Sequence, residues 1–285
     1  AMLIAAALIE GIGFAALFIS FREIIPVDIN GDGLMDLVAI TLTPTGLYRY
    51  NYHFYDGVTF SNGGGYGYKG FNTAAIDNNY IVGDFNGDGK HEILIKSTKI
   101  LYNENGTGTQ STGITNWGDE LLPTFPNNLN LLDFTGNGKT NICIRTGSNG
   151  SVYELNGSTF SLVLQTNEFN NYSDMYPGDY NGDGFTDLFV VKVNQSNPDG
   201  HEYFWLLSNG TSFERKNLSS LSLSSNTLKG FSGDFNLDGK TDFALAENYY
   251  NAGNYYFSFR IGINNGSGFD FKNYETNYQI ISATD

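Results

Sequence analysis

Short apolar runs at 37–40, 93–95, 142–144, 188–191 and 243–245 each follow directly on a polar, acidic nonapeptide. No polar residue interrupts them, which predicts strands buried on both faces. A different pattern holds at Tyr48, Tyr50 and Tyr52, which alternate with Arg49, Asn51 and His53 and predict a strand with one wet face. Between strands recur Asp56-Gly-Val-Thr-Phe60, Asn156-Gly-Ser-Thr-Phe160, Asn209-Gly-Thr-Ser-Phe213 and Asn265-Gly-Ser-Gly-Phe269. Asx-Gly at such a place predicts a two-residue hairpin with positive φ at both central residues. Asn105-Gly106 takes the same place in the second unit but lacks the Phe. Each unit reads as strand, acidic loop, strand, strand, hairpin, strand.

The nonapeptides are Asp28-Ile-Asn-Gly-Asp-Gly-Leu-Met-Asp36, Asp84-Phe-Asn-Gly-Asp-Gly-Lys-His-Glu92, Asp133-Phe-Thr-Gly-Asn-Gly-Lys-Thr-Asn141, Asp179-Tyr-Asn-Gly-Asp-Gly-Phe-Thr-Asp187 and Asp234-Phe-Asn-Leu-Asp-Gly-Lys-Thr-Asp242. Their first residues lie 56, 49, 46 and 55 apart. Four strands per period of about 50 residues is the signature of a propeller blade. The expected fold is all-β, a β-propeller of four-stranded antiparallel blades forming a single domain over 1–285. Repeats are expected to start near 21, 77, 127, 173 and 228, giving five complete units. Residues 1–20, with Glu10-Gly-Ile-Gly-Phe14 at the hairpin place, are expected to be the last strands of a partial blade. Residues 279–285 are expected to be the first strand of a further one. The ends then either combine into an incomplete closing blade or belong to a longer propeller. The apolar stretch 1–20 also leaves open a membrane or signal segment, although no basic residue precedes Arg22 and Glu10, Gly11 and Gly13 interrupt it.

Charge narrows the chemistry. The chain carries 30 acidic against 15 basic residues, a formal charge of −15, which argues against a nucleic-acid partner. Many of the acids fall in the nonapeptides. Positions 1, 3, 5 and 9 carry side-chain donors: Asp28, Asn30, Asp32, Asp36; Asp84, Asn86, Asp88, Glu92; Asp133, Thr135, Asn137, Asn141; Asp179, Asn181, Asp183, Asp187; and Asp234, Asn236, Asp238, Asp242, all of them oxygen-bearing. Position 7 varies (Leu34, Lys90, Lys139, Phe185, Lys240), as expected of a residue that offers only its backbone carbonyl. Six or more hard oxygens in a flexible ring select calcium over zinc, copper or magnesium. An EF-hand needs an acid at position 12, where Ala39, Ile95, Ile144, Val190 and Leu245 stand. Four loops hold three carboxylates each and are expected to bind calcium. The loop at 133–141 has only Asp133 and is expected to be weak or empty. Cys143 is the one cysteine, so no internal disulfide forms, and its apolar neighbours predict burial.

These loops, each followed by an apolar strand, resemble the FG-GAP or VCBS repeats of integrin α-subunit-like propellers. The resemblance implies that each loop joins the first and second strands of a blade, with calcium structural and the positions above as ligands. Three features depart from the pattern: the loop at 133–141, Leu237 in place of Gly, and Glu92 in the last ligand position. Integrin propellers have seven blades, more than this length reaches. The expected role is a non-catalytic recognition, adhesion or scaffold module, secreted or on a cell surface. Its expected partners are an extracellular glycan or protein, or neighbouring domains of a larger parent chain, without membrane insertion. Tyr48, Tyr52, Tyr66, Tyr68, Tyr249 and Tyr250 are candidates for stacking on sugars, with packing between blades as their other reading. Alternatives are a carbohydrate-binding or polysaccharide-degrading domain and a segment of a secreted toxin-complex shell. His53, His91 and His201 fall in different repeats with no shared motif, and no nucleophile elbow, zinc motif or phosphate loop is present. The Asn-x-Ser/Thr sequons at Asn105, Asn156, Asn209 and Asn265 follow from hairpin chemistry.

Overall fold

The computed structural model describes residues 20–42, 48–68, 80–95, 100–102, 129–146, 149–157, 159–168, 173–192, 201–218, 229–251 and 254–279. The strands expected at 1–20 and 279–285 lie outside them except for Ser20 and Gln279, which belong instead to the first strand of the first repeat and the last strand of the fifth. The second hairpin at Asn105 and the fourth strand of the second unit also lie outside them. Among the described residues the regular elements are all strands, gathered into five antiparallel sheets whose strands follow in chain order. Blade one is β1 (Ser20–Val27), β2 (Asp36–Leu42), β3 (Tyr48–Tyr55) and β4 (Phe60–Tyr68). Blade two shows β5 (Tyr80–Gly83), β6 (Glu92–Ile95) and β7 (Ile100–Tyr102). Blade three comprises β8 (Leu129–Leu132), β9 (Asn141–Thr146), β10 (Asn149–Asn156) and β11 (Thr159–Thr166). Blade four comprises β12 (Ser173–Gly178), β13 (Asp187–Lys192), β14 (Glu202–Ser208) and β15 (Phe213–Asn217). Blade five comprises β16 (Lys229–Gly233), β17 (Asp242–Asn251), β18 (Asn254–Asn264) and β19 (Phe269–Gln279). β12 packs beside β8 on one side and β16 on the other, so the first strands of successive blades stand together, as in a propeller.

The uninterrupted apolar runs have a direct cause. Alternate residues of one strand point to opposite faces, and each face of a blade meets a different neighbour. Leu188 and Val190 of β13 enter a core shared with Leu132, Phe134 and Cys143 of blade three. Phe189 and Val191, between them in the chain, enter a core shared with Phe243 and Leu245 of blade five. β9 divides likewise, Ile142 and Ile144 packing with Ile81 and Phe85 while Cys143 faces blade four. Burial pushes the Cys143 thiol up to about 12, leaving an inert apolar filler. The blade four–five core is aromatic: Tyr180 stacks on Trp205 at 5.6 Å, and Phe269 meets both Phe189 and Trp205 edge-on.

The hairpins differ from expectation in one respect. Gly57, Gly157, Gly210 and Gly266 have positive φ, but Asp56, Asn156, Asn209 and Asn265 before them do not. The turn therefore centres one residue later, with Gly first, the φ pattern of a II′ turn. The preceding Asx side chain caps it: Asp56 Oδ1 accepts the N–H of Val58 and Thr59, and Asn209 Oδ1 those of Thr211 and Ser212. Tyr52 is also corrected as a sugar-stacking candidate, because it is 3% exposed inside the first core. The other five tyrosine side chains lie outside the description.

Candidate metal centres

Each nonapeptide spans the gap between the first and second strands of its blade, from β1 to β2 in blade one and from β16 to β17 in blade five. Its polar groups follow one scheme. In loop four, Asp179 Oδ1 and Oδ2 accept the N–H of Gly182 and Gly184 at 2.7 and 2.8 Å. Asn181 Oδ1 accepts the N–H of Asp183, and Asp183 Oδ1 that of Phe185, both at 3.0 Å. Loops one and two repeat this, from Asp28, Asn30 and Asp32 and from Asp84, Asn86 and Asp88. Loop five keeps it from Asp234, Asn236 and Asp238. The turn's own N–H groups thus fix the orientation of three oxygen-bearing side chains. Gly at positions 4 and 6 makes this reachable, with φ of 79° and 90° in loop four.

Position 9 is fully buried in all five loops: Asp36, Glu92, Asn141, Asp187 and Asp242 each have 0% exposure. The Asp residues there tie the loop to the sheet. Asp187 accepts the N–H of Tyr180 and, from the third strand, that of Ser208; Asp36 takes Ile29 and Tyr55, and Asp242 takes Phe235 and Asn264. Burial, aided by the charges of Asp88 and Asp84, pushes Glu92 up to about 8. Burial with Asp183 and Asp179 pushes Asp187 up to about 7, and Asp36 is raised for the same reasons. Three acids packed together without a countercharge disfavour ionisation, and a divalent cation removes that penalty. In loop two, oxygens of Asp84, Asp88 and Glu92 all come within 4.8 Å of one another. The longer arm of Glu92 brings the third carboxylate in.

The loops are also joined to each other. The position-8 N–H of one loop donates to the position-1 carbonyl of the loop before it: His91 to Asp28 at 2.8 Å, Thr140 to Asp84 at 2.5 Å, Thr186 to Asp133 at 2.9 Å and Thr241 to Asp179 at 2.6 Å. Side chains reinforce two of these joints, Ser208 Oγ donating to the Phe134 carbonyl and Asn264 Nδ2 to that of Tyr180. Position 7 has a role beyond its carbonyl. Lys90, Lys139 and Phe185 lie across Gly31, Gly87 and Gly136 of the previous loop, so closely that a Cβ there would stand 2.8, 2.9 and 2.5 Å away.

A family model described as FG-GAP-like repeat matches residues 133–190 and 179–245. Residues 133–245 are thus similar to FG-GAP-like repeats. The matched stretches hold loops three to five, and loops one and two repeat the same hydrogen-bonding scheme. No curated protein matches the chain. Among solved structures, the Photorhabdus luminescens Tc holotoxin pore is similar over 92% of this chain and 12% of its own, with TM-score 0.54 and 16% identity. A Bacillus licheniformis rhamnogalacturonan lyase aligns over 94% of this chain and 59% of its own, with TM-score 0.38 and 12% identity. The V. cholerae biofilm matrix protein Bap1 aligns over 88% and 40%, with TM-score 0.36 and 17% identity. The chain thus spans 12% of the length of the holotoxin chain, and that likeness is one of fold.

Among the described residues, oxygens of positions 1, 5 and 9 come together as a cluster of three acids in loop two, position 9 is buried in every loop, and loop three has a different set of partners. Its position-9 Asn141 and position-5 Asn137 turn to a residue that sequence reasoning passed over, Glu154 on β10. His53, His91 and His201 stand in blades one, two and four. Among the described residues no helix is long and apolar enough to cross a membrane.

Proposed function

We propose that the chain is a non-catalytic propeller segment of a larger secreted or surface-displayed protein, with structural calcium in loops one, two, four and five. It acts as a rigid scaffold for recognition of a glycan or protein, or for docking neighbouring domains. The observation that carries this reading is the fully buried acid at position 9 of each of those loops, together with the convergence of Asp84, Asp88 and Glu92 in loop two. A site of that charge and flexibility suits calcium, at about 10⁻⁴ to 10⁻³ M for an extracellular module. Because each loop is bonded to the next, an ion that stiffens one loop also fixes its neighbour. Metal analysis of the purified, calcium-dialysed protein is expected to return roughly four calcium ions per chain. Chelation is expected to lower the melting temperature, since an ion bound only by the folded state stabilises it. Zero or one ion, or an unchanged melt, would sink the calcium assignment.

A second reading, a segment of a toxin-complex protein, is favoured by the fold likeness to the Tc holotoxin pore over nearly the whole chain. A glycan array separates the two: specific sugar binding supports recognition, and a blank array leaves the scaffold role.

A further inference from the structure

Loop three keeps the backbone hydrogen bonds of the other loops at Asp133, Asn137 and Asn141, but its side-chain hydrogens converge on a carboxylate supplied by the sheet. Thr135 Oγ1 donates to Glu154 Oε2 at 2.9 Å, and Asn137 Nδ2 and Asn141 Nδ2 donate to the same oxygen, each at 3.1 Å. Lys139 Nζ stands 3.7 Å from Glu154 Oε1 and donates to the Leu155 carbonyl at 3.3 Å. The side chains at positions 3, 5 and 9 therefore aim hydrogens at one carboxylate. Their amide oxygens take the N–H groups that the corresponding acids take in loop four: Asn141 Oδ1 accepts those of Phe134 and Thr135, and Asn137 Oδ1 that of Lys139, so each amide is left with only its NH₂ group for the centre. A cation at this centre would meet N–H and O–H groups, not lone pairs.

Glu154 lies two residues before the hairpin Asx, where blades one, four and five carry Phe54, Leu207 and Ile263. An acid in place of an apolar residue at a site only 9% exposed would be costly alone. Three charge-assisted hydrogen bonds and an ammonium group satisfy it. Position 5 changes from Asp to Asn and position 9 from acid to Asn in this same loop, so of the two charges lost from the loop one reappears on the sheet.

We infer that loop three closes without metal, the Glu154 carboxylate gathering Thr135, Asn137, Asn141 and Lys139 in place of a cation. The inference rests on the calcium reading of the other loops for its contrast, but its central contacts are tested independently of it. Calcium stoichiometry and melting temperature are measured for the wild-type chain, for Glu154→Gln, and for Asn137→Asp/Asn141→Asp/Glu154→Leu, which rebuilds the loop on the pattern of blade four. Glu154→Gln is expected to leave the ion count unchanged. It is expected to lower the melting temperature by about 2–4 °C, equally in calcium and in chelator. The triple variant is expected to gain one calcium ion. A count that falls by one in Glu154→Gln would show Glu154 to be a metal ligand and overturn the inference, as would a melting temperature unmoved in chelator. If the wild-type chain binds no calcium, the functional reading fails, while the chelator arm still decides the role of Glu154.

Discussion

At the scale of single residues, the buried acids at position 9 set the response to pH. Glu92 is raised from its ordinary 4.5 to about 8 by burial and by Asp88 and Asp84, so the folded, metal-free chain holds its proton more tightly than the unfolded one. Its contribution to stability is therefore complete below the unfolded value and is lost as pH rises through about 8; Asp187 acts likewise up to about 7. In chelator the melting temperature is expected to fall between pH 5 and 8, and excess calcium is expected to remove most of that fall. A pH-independent melt in chelator would contradict the assignment. Glu92→Gln, which cannot ionise, should remove the Glu92 part of that fall and leave the part due to Asp187. Leu237 is the other residue with a local cost. Among the described residues it is the one non-glycine with positive φ, at 61°, and it is 88% exposed. Leu237→Gly is expected to raise stability by about 0.5–1 kcal/mol in urea denaturation, strain relief exceeding the entropy that glycine adds.

At the scale of elements, the joint between blades explains why position 4 is Gly in loops one to three, whereas at Gly182 a Cβ would stand 3.5 Å from Lys240 and only the positive φ favours Gly. A Cβ on Gly31 would lie 2.8 Å from the Gly89 carbonyl oxygen and from Lys90 Cγ, whereas one on Gly33 meets nothing within 4 Å. Both have positive φ, 77° and 83°, so both Ala substitutions carry the same backbone strain. Gly31→Ala is expected to destabilise by about 1–3 kcal/mol more than Gly33→Ala, the difference being the cost of pushing loop two away. Equal losses would mean that the loops do not touch in solution. Much of this architecture was legible in the sequence because it is carried by side-chain identity: the two-core strands as unbroken apolar runs, the loops as spaced oxygens. The joint between loops was not, because a backbone N–H makes it and position 8 can be Met35, His91, Thr140, Thr186 or Thr241. Glu154 escaped for another reason. It reaches Asn141 only after β10 folds back on β9, and nothing in the local pattern marks the residue before Leu155 as a partner of the loop.

At the scale of the molecule, the joints make the loops one connected series, with loop three as its central link. If loop three were slack, the pairs of loops on either side, for which calcium is proposed, would be uncoupled; the proposed Glu154 closure would keep the series stiff across a blade without metal. Among the described residues the series of joints ends at loop five. Ile29, Phe85, Phe134 and Tyr180 at position 2 are each at most 2% exposed under the following blade, but Phe235 is 42% exposed and packs edge-on with Phe231 at 5.8 Å. Coupling through the joints has a thermodynamic consequence. Where all four sites are lost in one cooperative transition, unfolding free energy rises with the logarithm of free calcium with a slope of about 4RT above saturation. At roughly twenty times the dissociation constant each site adds about 1.8 kcal/mol, and four add about 7. Urea denaturation at a series of calcium concentrations is expected to show one transition with that slope. Separate transitions with slopes near RT would mean that the blades unfold independently and that the hydrogen bonds between loops do not couple them.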